Sequence, residues 1–483
     1  MNRYISALAA FSLLASGLLA SCSIPRKAAL PRPQAVPTAF MADTAATPAV
    51  AGLSPHTFFR DKKLQTIIRD VLQHNPDMNI ALQHVRIADA TLLASRGALL
   101  PSLQANAGAS GTRYGKYTME GVGNYDTNLS PNIEDAQVIG TRPTPNYLLG
   151  FSSSWEVDIW GKLSNMKHAA RMRYLASQEG VSWVKSMLIA RTATLYYDLI
   201  ALDKEAEIID KNIRLQERAL EIVTIQKAGG RATELAVQQF KAQLLNTRSA
   251  EYAIKQRILE TENELSALAG KYTMKIERSP DLEPGHHFDE RMGTGTPVAM
   301  LAMRPDVRQA HAELEATKAD ANAARAAFFP SLTISAYAAY NAFSGNMLFA
   351  ASSLGYQLFG GLTAPIFQRH QLRAQFAIAN AKQQEAFYAY EKATLNAYRE
   401  VLNDMNMIEN TRQMQLLKEE EVASLSLGID ISNDLYTTGY ASYLEIVTAQ
   451  KSKLDAELQL VNIRRDRIHS NIELYRALGG GWQ

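Results

Sequence analysis

"NPDMNIALQHVRIADATLLASRGALLPSL", residues 75 to 103, aligns without a gap on "RPDVRQAHAELEATKADANAARAAFFPSL", residues 304 to 332. Ten positions are identical, among them Pro76 and Pro305, Asp77 and Asp306, Arg96 and Arg325, and the Pro-Ser-Leu at 101 and 330. In both copies the two prolines stand 25 residues apart. Self-similarity of this kind governs the whole chain and has to be read first. The later parts match at a separation of 209 instead of 229. Gly230 pairs with Gly439, Leu235 with Leu444, Glu264 with Glu473, Leu265 with Leu474 and Gly270 with Gly479. The chain is an internal duplication whose first copy carries 20 extra residues, the difference between the two separations. The stretch "GTRYGKYTMEGVGNYDTNLSPNIEDAQVIGTRPTPN" (111 to 146) is rich in Gly, Asn, Thr and Pro and reads as the long loop that holds them.

Each copy reads helix, strand, loop, strand, long helices. The first helix stops at the proline, because the residue before a proline is pushed out of the helical region. Leu103, Ala105, Ala107 and Ala109 then alternate with Gln104, Asn106, Gly108 and Ser110. After the loop, Phe151, Ser153, Trp155, Val157 and Ile159 alternate with Ser152, Ser154, Glu156 and Asp158. Strands are expected at about 102–112, 147–159, 331–340 and 354–366. Period-two alternation fits a barrel wall. It fits any half-buried hairpin as well.

The stretch after each hairpin is more specific. No proline occurs from 146 to 279, nor from 366 to the end. Val181, Leu188, Leu195, Leu202 and Ile209 recur every seven residues, and Tyr388, Leu395 and Leu402 repeat the spacing. This is the apolar seam of coiled helices. Gly229-Gly230 and Gly439 interrupt the helices once per copy. A helix of ~60 residues is ~90 Å long, too long for a compact globule and suited to a stalk or a tube. Four strands cannot close a barrel, since about eight is the smallest number that does. If these strands span a membrane, more than one chain must contribute.

The amino terminus sets the compartment. Asn2 and Arg3 precede an apolar run from Ile5 to Ala20, the layout of a secretory signal removed from the mature protein. "LLASCS" (18 to 23) contains Cys22, the single cysteine of 483 residues. Leu19-Ala20-Ser21-Cys22 resembles a bacterial lipobox, in which the thiol and the new amino terminus are acylated. The competing reading is an ordinary secretion signal followed by a chance cysteine. Several acyl chains give stable anchoring where one is marginal. Ser23, in the place where Asp would suggest inner-membrane retention, leans toward the outer membrane. With no second cysteine, a disulfide is excluded and stability has to come from packing. A formal net charge of +2 gives no indication of nucleic acid.

Taken together, the chain resembles the TolC-like outer membrane factors, in their lipoprotein branch (the OprM, CusC and NodT type). The resemblance runs from about Phe58 to Trp482. It is carried by "FFRDKKLQTIIRDVLQHNPDMNIAL", "SWEVDIWGK", "GTPVAMLAMRPDV", "FFPSLTISA", "APIFQRHQLRA", "TTGYASYLEIVTAQ" and the ending "ELYRALGGGW". It implies a mainly α fold with a β-barrel part. Long coiled helices would form a periplasmic α-barrel, and four strands per chain would contribute to a trimeric 12-stranded transmembrane β-barrel. The domains expected are a signal peptide at 1–21 and a lipidated linker at 22–57. They continue with a first repeat at 58–270, an equatorial linker at 271–303 and a second repeat at 304–483. The implied partners are two further copies, outer membrane lipid, a periplasmic adaptor and an inner-membrane transporter of the RND class. The implied activity is passive conduction of small molecules such as drugs out of the periplasm. No enzyme activity and no cofactor are expected beyond a covalent lipid on Cys22.

The resemblance also points to a gate. In this family acidic residues in the segment matching "YLEIVTAQKSK" ring the periplasmic constriction. Glu445 occupies one acidic position, but Thr448 stands where a second Asp is common. Leu444 and Lys451 match nearby gate positions. A ring of three carboxylates would attract cations and resist close approach. The competing reading makes Glu445 a solvated residue of a helix face. A second departure lies at Arg369 and His370, where the family often has Gly-Gly; the first copy has Gly161 in the position of His370.

Other features point less far. His286-His287 with Asp289 and Glu290 are metal-capable residues without metal-site spacing. Met292, Met300 and Met303 suggest copper handling, but read more simply as linker and helix-packing residues. No phosphate-binding loop, nucleophile elbow or zinc motif occurs. Three alternatives stand beside the efflux duct: a type I protein-secretion duct, a non-pore periplasmic coiled-coil lipoprotein, and a lipid-anchored envelope enzyme.

Overall fold

The computed structural model describes residues 29–32, 34–40, 54–139, 143–280, 282–283, 295–366 and 368–482. The signal, Cys22 and the segment His286 to Met292 lie outside the described residues. The chain opens with α1 (Pro55–Phe58), α2 (Lys62–His74) and α3 (Pro76–Gly97). Strand β1 (Ser102–Thr112) leads through a short helix, α4 (Met119–Thr127), to β2 (Thr144–Val157). Two long helices come next, α5 (Lys162–Ala228) and α6 (Glu234–Leu268). The second half repeats the plan with α7 (Pro297–Met303), α8 (Pro305–Ala326), β3 (Ser331–Ala342), β4 (Leu354–Thr363), α9 (Gln371–Thr437) and α10 (Tyr443–Ala477).

The duplication holds at the level of single residues. Helices α3 and α8 are both 22 residues long, α5 and α9 both 67, and α6 and α10 both 35. Their starts keep the sequence separations of 229 and 209. Pro76 and Pro305 open their helices, where a missing N–H costs nothing. Thr233 and Ser442, equivalent residues, cap α6 and α10 by accepting from Ala236 N and Leu444 N. Gly230 and Gly439 turn the chain between the long helices at φ of +74° and +82°, a left-handed backbone that a Cβ disfavours.

Two compact units result, and each takes pieces from both repeats. One comprises Asp89–Arg173 and Leu314–Glu385, with Ala29 and Leu30. The other comprises Pro31–Ala88, Tyr174–Glu313 and Ala386–Gln483.

The first unit is built on one antiparallel sheet in the order β1-β2-β3-β4. Its register pairs Ala105 with Phe151, Phe151 with Ala338, and Ala338 with Tyr356. Trp155 donates its indole N–H to Leu99 O at 3.0 Å, and Trp160 donates to Pro330 O at 2.7 Å while stacking on Phe329. These bonds tie the strand ends to the helix ends that precede β1 and β3.

The second unit is helical. Leu188, Leu195 and Leu199 of α5 form its main core with Phe58, Phe59, Ile472 and Tyr475. Phe58 stacks face to face on Tyr475 with ring centroids 4.0 Å apart. Phe40, Met300, Val307, Val401 and Leu474 form a second cluster, so Met300 is a packing residue.

Five details differ from the sequence expectations, the first being that β3 runs on to Ala342 rather than 340. Strand β2 runs 144–157 rather than 147–159. Asp158 leaves the sheet because its carboxylate accepts from Leu163 N and Ser164 N, opening α5. Strand β4 stops at Thr363 rather than 366, and Pro365, which has no N–H to donate, lies just beyond it. The stretch 111–146 is not a plain loop: Thr118 caps α4 within it. The apolar seam differs between the repeats. Leu188, Leu195, Leu202 and Ile209 are buried, whereas Tyr388 and Leu395 are 55% and 51% exposed. Among the described residues, Leu402 of that second seam packs against the Met300 and Val401 cluster, while Tyr388 and Leu395 stay open.

Candidate functional site

The sheet sorts its side chains by face because paired residues of an antiparallel ladder share a face. One face carries Leu103, Phe151, Trp155, Ile334, Leu358 and their neighbours in register. This apolar face meets solvent, with Leu103 73% and Leu358 77% exposed. The other face is mainly polar, with Gln104, Asn106, Ser152, Ser335 and Gln357, and also carries Leu148, Tyr337 and Phe359. Asn106 donates to the Ser152 hydroxyl across it at 2.9 Å. An exposed apolar face this continuous marks an interaction surface. Opposite a polar face, it is the wall of a transmembrane barrel, lipid outside and water inside. Strands β1 and β4 each pair on one side only among the described residues, so both edges of the sheet are open.

Among the described residues no helix is long and apolar enough to cross a membrane. No group of three or more His, Cys, Asp or Glu able to hold a metal occurs among them either.

The second feature lies where the long helices turn. The α5–α6 turn and the α9–α10 turn pack together: Val223, Ala236 and Phe240 are buried against Tyr443 and Val447. Tyr436 donates to Gln226 Oε1 at 2.5 Å across this contact. Leu444, Glu445, Thr448 and Lys451 all lie on one side of the first turns of α10, while Ile446 and Leu454 on the other side are buried. The structure therefore gathers the four residues expected at a gate on one solvent-facing stripe.

Glu445 is held there. The Ser442 hydroxyl donates to its carboxylate, and this bond lowers its pKa below the usual carboxylate range. Its position in the first turn of α10 places the negative charge against the positive helix end. Among the described residues Glu445 forms no ion pair. Glu234, at the start of α6, pairs with Lys227 instead and is also bonded by Gln238. The two repeats thus differ in charge at the turn: one acidic side chain is neutralised and the other is open.

Two groups were missed in the sequence. Tyr440 stands beside Gly439, almost fully exposed, and an aromatic side chain in a glycine turn was the available signal. Asp404 lies with Glu400, Glu473, Arg304 and Arg476, and burial with the two neighbouring glutamates raises its pKa to about 7. The signal was an acid in the helical position matching buried Leu195 of the first repeat.

Comparison with known proteins agrees with this geometry. Residues 67–271 and 296–480 match the outer membrane efflux protein family. The chain is 27% identical over 425 residues to the cation efflux system protein CusC of Escherichia coli K12, covering 88% of each. It is 29% identical over 431 residues to the pyoverdine export outer membrane protein OpmQ of Pseudomonas aeruginosa, covering 88% of this chain and 86% of that one. A crystal structure of CusC superposes with a TM-score of 0.81 at 26% identity, covering 95% of this chain and 100% of the other. The outer-membrane channel OprN shares the fold, with a TM-score of 0.82 at 21% identity over 94% and 99% of the two chains. The open amphipathic sheet, the paired helical repeats and these likenesses lead to one conclusion: the chain belongs to the outer membrane efflux protein family.

Proposed function

We propose that three copies of the chain close their sheets into one twelve-stranded barrel and act as the passive outer-membrane duct of a tripartite pump. The observation that carries this is the four-stranded sheet with an exposed apolar face and two open edges. Such a sheet is stable in lipid only when its edges are paired by further strands. Three copies supply twelve strands, an even count that suits a bacterial barrel. A non-pore coiled-coil lipoprotein has no use for this surface.

The exposed stripe at the α9–α10 turn would form the gate. Three copies of Glu445 near the axis make a cation-attracting ring, with Leu444 beside it as an apolar constriction, and with Thr448 and Lys451 one and two turns on. A periplasmic adaptor docking at these turns opens the gate by binding the open state better, and an RND-class transporter supplies the energy. Cys22 would carry the lipid anchor, in line with a relative from Salmonella typhimurium, the probable outer membrane lipoprotein SilC, 25% identical over 455 residues. The relatives named for cations, pyoverdine and solvents differ in cargo, which fits a duct whose selectivity lies elsewhere in the pump.

The experiment is conductance. Purified protein added to a planar bilayer should give discrete ohmic current steps. A protein that inserts and yields no steps, with or without the adaptor, overturns the duct.

A further inference from the structure

The 20 residues that break the duplication fold into a small, pinned structure. Thr118 caps α4 through Gly121 N at 3.1 Å. Thr127 bonds back to Gly123 O at 2.7 Å. Asn128 holds Ile139 from both sides, donating to its carbonyl and accepting from its N–H. These bonds hold the insertion together within itself, between the end of β1 and the start of β2.

Between the insertion and those strand ends lies a cavity of about 510 Å³. It meets the strands at Thr112 and Thr144. These two residues pair with each other and share the register of Gln104, Asn106 and Ser152, so the cavity opens on the polar face. Its wall holds the rings of Tyr114 and Tyr125, with Val122 and Ile139. It also holds two cations, Arg113 and Lys116, and no carboxylate. Among the described residues neither cation forms an ion pair, and Glu120, Asp126, Glu134 and Asp135 of the insertion stay outside the wall.

We infer that this cavity is a binding site for small organic anions with an aromatic or apolar body. The rings and aliphatic side chains take up the apolar part, and Arg113 and Lys116 hold the anionic group. The strand order explains its use. The helices leave the sheet at Leu99, Pro330 and Asp158, and the insertion joins the opposite strand ends. If the strands span the outer membrane, as the proposed duct requires, the cavity stands at the outer mouth of the lumen. An anion leaving the barrel meets it last. The second repeat has only eleven residues, 343 to 353, between its strands, so one such site per chain is built.

The test separates the site from the duct. Binding of 2-naphthoate to detergent-solubilised wild-type protein is measured by calorimetry, with 2-naphthylmethanol as the neutral match. The expected results are saturable naphthoate binding at about one per chain and at least tenfold weaker binding of the alcohol. The double variant Arg113→Gln/Lys116→Gln should lose at least tenfold in naphthoate affinity, and Tyr114→Ala should weaken both probes. Equal binding of the two probes, or an unchanged affinity in the double variant, overturns the site. In the bilayer, naphthoate added on the extracellular side should block the current of wild type and not of the double variant, each read as a fraction of that protein's own unblocked current. Equal block of both proteins overturns it as well. Absence of any current in wild type counts against the duct alone, and the calorimetric result still decides the site.

Discussion

Arg304 donates from Nη1 to the carbonyl oxygen of Ala477 at 3.1 Å, closing the end of the last long helix onto the residue that precedes α8. The first repeat makes the same contact with a different side chain. Asn75, before α3, donates to Leu268 O, the last residue of α6, at 2.9 Å. Buried helix carbonyls need partners, and each repeat supplies one from the residue before its proline. Arg304 carries more than the cap. It is almost fully buried, bonded twice by Asp306 and once by Glu400.

Loss of these two side chains should therefore differ. Asn75→Ala leaves one buried carbonyl unpaired and should cost about 1–2 kcal/mol. Arg304→Ala leaves that carbonyl and the Asp306 carboxylate without their partner and Glu400 with Arg476 alone, and should cost about 3–5 kcal/mol. Thermal melts in detergent, followed by helix signal, check this. Equal shifts would show that the ionic part of the Arg304 site contributes nothing.

Asp404 should make stability depend on pH. Its pKa is raised from 3.8 to about 7 by burial and by Glu473 and Glu400, against Arg476 and Arg304. The folded protein keeps a proton that the unfolded chain has released, so stability falls as pH rises from about 4 to about 7. The slope is on the order of 1 kcal/mol per pH unit. Above that window the penalty is complete and constant. Asp404→Asn should raise the melting temperature at pH 8 and leave it nearly unchanged at pH 4. A shift of the same size at both values would place the effect in packing, not in charge.

Gly150 pairs with Ala339 in the middle of the sheet, and a Cβ there would come within 2.1 Å of the Ala339 Cβ. Gly108, also on the polar face, has nothing within 4 Å of such an atom. Gly150→Ala should sharply reduce the amount of folded protein in the outer membrane, while Gly108→Ala should be near wild type. Membrane fractionation reads both, and equal yields would mean that the strands shift freely.

Glu445→Ala should abolish cation selectivity in reversal-potential measurements under a salt gradient. Glu234→Ala should matter much less, because Glu234 is paired with Lys227 and bonded by Gln238. Unchanged selectivity in Glu445→Ala would return it to an ordinary solvated helix face and leave Leu444 as the constriction.

Much of this was legible in the chain itself. The paired separations of 229 and 209 foretold helices of equal length in both halves, because a duplicated core repeats its caps, prolines and glycine turns. The strand β1 was visible because its alternation runs unbroken between Pro101 and Gly111. Side chains that bond their own backbone were harder to see. Asp158 looks like the polar member of an alternating strand until its bonds to Leu163 and Ser164 are known. Helix α4 was hidden by Gly121, Gly123 and Asn124, which read as loop. The exposed Tyr388 and Leu395 show the limit of periodicity, which reports an apolar seam without saying which chain covers it. The residues expected at a gate came from the resemblance, and that they share one face of α10 needed the structure.

The central claim is that the open sheet closes only with other copies of itself. The mass of the protein in detergent, by light scattering with the detergent contribution subtracted, tests it most directly. Three chains of 53.3 kDa each, less residues 1–21 if the expected signal is cleaved, are the predicted mass. A monodisperse monomer that keeps its full strand signal would contradict it.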